Sequence, residues 1–333
     1  MRAIVPDGSA EPSVPAVCLV GCGAIGATHA RNLRGRARLS FCSGKAENAR
    51  RFQHQYGGER VYDGYDEVLA DAAVDGVVLA TPPQLHCEQV VAALGAGKGV
   101  LVEKPMCVSP EEVATIAAAA GGGRGPALMV AENYYYRATH AYVKEQLAME
   151  SLGPLLGLSV RKLSQQNATG WKSGYGALLE GGVHMVAMIS DLVGQAPEKV
   201  TAEFPGADNA EPERHSRTRL EYADGMVAQL EYSWSTPTLA RGIFQHSCVY
   251  GERGRLVFET NGLYAWINTA VTPRQLFLPL GQDLLGYREM MMDFLACLRD
   301  PERRPYSDLA RARRELEIVF RAYEGLSREG RRA

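Results

Sequence analysis

A chain of 333 residues is long enough for two domains or one large one, and 46% apolar with 22% charged residues is the composition of a globular protein with sizeable cores. A formal net charge of −2 excludes a nucleic-acid or anionic-membrane surface as its main business, and no apolar run is long enough to span a bilayer. Seven cysteines stand singly, with no CxxC pair and no histidine cluster, which points away from disulfides and a metal site and toward reduced thiols in a cytoplasmic protein.

Residues 1–15 carry Asp7, Glu11 and three prolines without the apolar middle of a signal peptide, so 1–14 read as a loose tail. An apolar strand over 15–20 runs into Gly21-Cys22-Gly23-Ala24-Ile25-Gly26, and a helix pattern follows on Ala27, Ala30 and Leu33, with His29 and Arg31 outward. A lone G-x-G-x-x-G is weak evidence, but here it has a strand before it and a helix after it, as a dinucleotide site requires. Gly21 suits the tight turn, Gly23 the approach of a pyrophosphate, and Gly26 close helix–strand packing. The helix N-terminus then faces the phosphates.

A second strand over 37–42 ends at Ser43-Gly44-Lys45. An NAD-preferring fold places an acid near this point, on the adenosine ribose. A hydroxyl and an ammonium attract a 2′-phosphate instead, so the pattern favours NADP(H); NAD also fits if Lys45 is merely solvated. A strand over 74–80 leads to Thr81-Pro82-Pro83-Gln84-Leu85-His86 and a helix over 87–96. His86 fits either the cofactor site or a helix start that touches nothing. The next apolar run, Gly99 to Val102, ends on Glu103-Lys104-Pro105, which holds a lysine at the carboxyl end of a buried strand, where open α/β sheets bind ligands. Pro105 biases Lys104 to extended geometry. Ser109-Pro110-Glu111-Glu112 is a helix start, with a serine cap, proline at the first position and acids in the first turn. A strand over 127–131 closes this half, whose alternation predicts a parallel, doubly wound sheet.

From Asn133 the rhythm changes. Tyr134, Tyr135 and Tyr136 open a predicted helix to about 149, and 158–163 alternates like a half-exposed strand. The glycine-rich loop 167–176 carries Trp171 and Tyr175, which suit either a ligand pocket or packing of the loop on its own domain. A buried helix over 177–188 is interrupted by Glu180 and His184, four apart and so on one helical face. They fit two readings: a capping acid with a satisfied core histidine, or an acid that orients a proton-accepting imidazole. Runs over 199–204, 216–222, 226–235, 242–250 and 255–260 predict an open antiparallel sheet, and helices near 286–299 and 308–330 finish the chain. Alternation of Met226, Ala228, Leu230 and Tyr232 against Val227, Gln229 and Glu231 predicts one sheet face under helices and the other against a partner subunit.

In this order, Gly21-x-Gly23-x-x-Gly26, Thr81-Pro82-Pro83-x-x-His86, Glu103-Lys104-Pro105 and Glu180-x-Gly182-x-His184 resemble the Gfo/Idh/MocA family of nicotinamide-dependent oxidoreductases, over residue 15 to the last helix. The resemblance implies a Rossmann domain over 15–133 and an α+β domain over 134–333 with a large, mostly antiparallel sheet, assembling as a homodimer or homotetramer through that sheet. It implies interconversion of an alcohol and a ketone on a sugar, cyclitol or similar polyol, and a cis bond at Lys104–Pro105. Lys104 and His184 carry over as catalytic groups, with Glu180 orienting the histidine. The implied cofactor contacts are Gly21, Gly23, Ala24, Ile25 and Gly26, then Ser43 and Lys45, then Thr81, Pro82, His86, Glu103 and Lys104. Substrate contacts fall to Lys104, Tyr135, Trp171, Tyr175 and His184. Two departures stand out: Glu180 replaces the family's Asp, and Ala187 sits where a second Asp often follows. Two rivals share the fold, a non-catalytic cofactor sensor and an NAD-dependent glycosidase with a transient redox step.

Overall fold

The computed structural model describes residues 14–123, 125–207, 211–238, 242–270 and 273–329; the tail expected over 1–14 lies outside these, Val14 excepted. The first half runs β1 (Ala16–Val20), α1 (Ala24–Leu33), β2 (Arg38–Cys42), α2 (Ala46–Tyr56), β3 (Arg60–Tyr62), α3 (Tyr65–Ala70), β4 (Gly76–Leu79), α4 (His86–Gly95), β5 (Gly99–Val102), α5 (Pro110–Ala119) and β6 (Leu128–Val130). All six strands pair in parallel in the order β3-β2-β1-β4-β5-β6. This is the dinucleotide-binding strand order, whose crevice opens where the order reverses, beside β1 and β4. Val, Leu and Cys fill β1, β4 and β5 because both faces of such a sheet are covered. Residues 46–73, for which the pattern yields no expectation, form α2, β3 and α3. The signal was present in Ala49, Phe52 and Tyr56, which are spaced along one helical face and buried. Ser109 caps α5 as expected, its hydroxyl accepting from the Glu112 N–H at 3.3 Å, while the Glu112 carboxylate accepts from Val108 N–H at 2.8 Å.

The second half comprises α6 (Ala138–Ala148), β7 (Leu155–Leu163), α7 (Val183–Val193), β8 (Lys199–Glu203), β9 (His215–Glu221), β10 (Val227–Ser233), β11 (His246–Gly251), β12 (Gly254–Glu259), β13 (Ala265–Thr269), β14 (Gln275–Phe277), α8 (Tyr287–Arg299) and α9 (Leu309–Glu329). Its eight strands order as β14-β13-β12-β11-β7-β10-β9-β8, antiparallel except for β7 beside β10. The chain returns to β7 only after passing through α7 and the β8–β9 pair, and that crossover delivers β10 in the same direction. Ala228, Leu230 and Tyr232 are buried, with α7 and α9 packed on the sheet. The opposite face is charged, with Arg161 and Arg217 paired to Glu231 at 3.2 and 3.1 Å.

Two local expectations fail. The helix predicted from Asn133 is instead a single tight turn, Asn133–Tyr136, followed by extended Arg137 and then α6. Each tyrosine of that turn has a separate partner. Tyr134 stacks on His184, Tyr135 donates to Glu315, and Tyr136 donates to Asp293 at 2.8 Å. The helix predicted over 177–188 begins with a wider turn, Leu178–Gly182, bonded i→i+5. Gly181 and Gly182 press this turn onto Tyr232 of β10; a Cβ at Gly181 would overlap the phenol oxygen.

Candidate active site

A cavity of about 640 Å³ runs across the carboxyl ends of β1, β4 and β5. Gly21 to Ile25 with Ser43, Gly44 and Asn48 line one end; Lys104, Trp171, Lys172, Glu180 and His184 line the other. At Gly21 the backbone has φ +103° and a Cβ would run into the Ala80 carbonyl, so the turn accepts glycine alone. A Cβ at Gly26 would overlap the Gly21 carbonyl, which seats α1 against β1. A Cβ at Gly23, by contrast, would meet nothing within 4 Å. That open space lies beside the uncapped N-terminus of α1, whose first N–H groups have no helical partner. A dinucleotide fits this cradle: backbone at Gly21–Ile25 for the pyrophosphate, Ser43 and Asn48 for the ribose end, and Thr81 and Pro82 along the wall.

At the other end Glu103, buried behind β5, bonds the buried His29 Nε2 at 2.7 Å and accepts from the Lys104 N–H at 3.1 Å. His29 therefore faces inward, contrary to its outward expectation, because a buried carboxylate needs a partner. Burial pushes the Glu103 carboxyl up, but the His29 bond and neighbouring charges hold it below its ordinary value. The Lys104–Pro105 bond is cis. The Lys104 ammonium donates to the Glu180 carbonyl at 2.8 Å and to its Oε1 at 3.3 Å, and Lys172 reaches the same Oε1 at 2.9 Å. Burial works against ionisation of Glu180, yet these two ammonium groups hold its carboxyl below the usual range.

His184 is not held by Glu180. The i→i+5 turn removes the spacing on which an i, i+4 pair depends, and Glu180 is already committed to two lysines. Instead, His184 Nδ1 lies 2.7 and 2.8 Å from the two carboxylate oxygens of Glu132, the residue two past the end of β6. Burial, then the Lys104 charge, holds the imidazole well below its ordinary pKa. Burial pushes the Glu132 carboxyl up to about 8. Sequence reasoning missed Glu132, although the rule that singles out Lys104, a charge at a strand's carboxyl end, applied equally there.

Four other expected site residues are placed differently. His86 is fully buried, its ring nitrogens 2.9 Å from the carbonyl oxygens of Thr81 and Pro105. It ties the two loops together and does not line the cavity, because two backbone acceptors capture the ring first. Tyr135 turns away, buried against Glu315. Lys45 is exposed at the start of α2, outside the cavity lining that includes Ser43 and Gly44. Tyr175 is not among the cavity's lining residues; its hydroxyl donates to Gln84 Oε1 at 3.3 Å, and its ring stands edge-on to Trp171.

The sequence matches the oxidoreductase family with an NAD-binding Rossmann fold over residues 16–130, and the GFO/IDH/MocA C-terminal domain over residues 140–257. The chain is 33% identical over 162 residues to trans-1,2-dihydrobenzene-1,2-diol dehydrogenase of Sus scrofa, covering 46% of this chain and 47% of the relative. The chain thus spans about half the length of that curated relative. Among solved structures, levoglucosan dehydrogenase in complex with NADH and levoglucosan superposes with a TM-score of 0.83 at 20% identity, over 95% of this chain and 98% of that one. A 3-ketoreductase from Actinomadura kijaniata, in complex with TDP-benzene and NADP, gives 0.79 at 22% identity, over 94% and 98%. At these identities the two superpositions establish the fold.

Proposed function

The chain belongs to the Gfo/Idh/MocA oxidoreductases, and from that premise we propose that it interconverts an alcohol and a ketone on a sugar, cyclitol or similar polyol with NADP(H). The observation that carries the reading is one continuous cavity joining the glycine cradle to Lys104 and His184. Residues 15–133 hold the cofactor, and residues 134–333 supply most of the substrate wall and the surface for a homodimer or homotetramer. NADP(H) is favoured by Ser43 and Asn48 at the ribose end, where no carboxylate stands among the lining residues to repel a 2′-phosphate. A nicotinamide dinucleotide held at Gly21–Ile25, Ser43 and Asn48 would supply the hydride acceptor or donor. In the oxidation direction His184, neutral because its pKa is held down, takes the hydroxyl proton. Lys104 spends two of its three N–H groups on Glu180 and turns the third to the developing alkoxide. In reduction the same two groups protonate and polarise the carbonyl oxygen.

The test is the reduced-nicotinamide absorbance when the protein is mixed with NADP⁺ or NADPH and a panel of sugars, cyclitols and their ketones. Net turnover is the expected result. Tightly held cofactor that cycles without net turnover would mark the glycosidase, and binding without any redox change would mark a sensor.

A further inference from the structure

Proton transfer at His184 requires one ring geometry: Nδ1 carrying hydrogen into the protein and Nε2 bare toward the cavity. Resting on the reading above, we infer that Glu132, rather than Glu180, is the positioning residue that sets this tautomer and balances the charge the ring acquires. Both Glu132 oxygens lie within 2.8 Å of Nδ1, and the carboxylate is itself fixed by the Tyr134 N–H, 3.2 Å from Oε1. The ring is held in the other dimension by Tyr134, whose plane lies 31° from it at a centroid distance of 4.9 Å. The Arg137 guanidinium sits 3.4 Å from the Tyr134 ring centroid, so the stack has a backing. With Nδ1 occupied in this way, the opposite nitrogen is left for the cavity that His184 lines.

The groups around the pair come from every packed element. Glu103 and Lys104 face it from the end of β5, Glu180 from the wide turn and Arg137 from the segment before α6. Glu315 of α9 and Tyr287 of α8 also couple to Glu132. Burial dominates both partners, raising Glu132 and lowering His184. Below about 8 the pair therefore holds one extra proton; above it Glu132 is an anion accepting from Nδ1–H, and Nε2 is free to act as a base. Reduction, which needs an acid, belongs to the lower side, and oxidation to the upper.

The experiment reads the His184 ring nitrogens by NMR in the full-length protein with isotope-labelled histidine, assigned by loss of the signal in His184→Ala. At about pH 9.5 the wild-type ring should carry hydrogen on Nδ1 alone, and its nitrogen shifts should report the titration of the facing Glu132 carboxyl near 8. Glu132→Gln should erase that titration while thermal unfolding remains cooperative. Glu180→Gln should leave the tautomer in place. An unchanged titration in Glu132→Gln overturns the assignment, as does loss of the Nδ1–H tautomer in Glu180→Gln; the second comparison decides even if Glu132→Gln does not fold. The ring readout needs no substrate, so failure of the proposed reaction is distinguishable from failure of this assignment.

Discussion

Replacing Lys104 by methionine keeps an unbranched side chain one atom shorter and removes the ammonium, its charge and its N–H donors together. In the folded protein the ammonium has two contacts, both to Glu180, leaving one N–H for a substrate oxygen. At about 3 Å and an effective dielectric near 20, an ammonium and a full negative charge attract by about 5 kcal/mol. A transition state with roughly half that charge on oxygen then loses about 3 kcal/mol, or about 10² in turnover, in the range seen when one oxyanion contact is removed. Stability should fall less, by roughly 1–2 kcal/mol, because the hydrogen bonds to the Glu180 carbonyl and Oε1 are lost while that carboxylate keeps Lys172 at 2.9 Å. NADP(H) affinity should hold, since the cradle at Gly21–Ile25 is untouched. The assay is steady-state kinetics beside a cofactor titration and a thermal melt. Turnover within about threefold of wild type, with the cofactor still bound, would refute the role of Lys104.

The protein should bind NADP(H) more tightly than NAD(H), and Ser43→Asp should reverse the order in a fluorescence titration. Gly181→Ala should destabilise by about 1–3 kcal/mol in denaturant unfolding, because the new methyl would overlap the Tyr232 hydroxyl in a packed region. Burial, then the Glu132 charge, raises the Glu315 carboxyl to about 8 in the folded protein, above its unfolded value. The stability it contributes is complete below the unfolded value and is lost as pH rises through 8, so wild-type Tm relative to Glu315→Gln should decline across that window. Light scattering at micromolar concentration should give a dimer or tetramer; a strict monomer would contradict assembly through the charged sheet face.

The doubly wound sheet was legible because its signals are local. A buried parallel strand reads as a short apolar run, a phosphate-binding turn needs glycines at fixed offsets, and Ser109 begins a helix by bonding a residue three positions away. Lys104 was legible for the same reason, standing where a strand ends. Periodicity could not say which groups would meet. Glu132 and His184 are 52 positions apart, Lys104 and Glu180 are 76 apart, and Tyr135 and Glu315 are 180 apart. The four-residue spacing of Glu180 and His184 even pointed to a pair that does not form. Contact of the Gly181-Gly182 backbone with Tyr232 accompanies a wide turn where a regular helix was expected. Two lysines from other segments then claimed Glu180, and a carboxylate at the end of β6 claimed the histidine. Sequence by itself determined where strands end and what charge stands there. Only tertiary packing decided which buried charges neutralise one another, because that depends on desolvation and on distances no local pattern encodes.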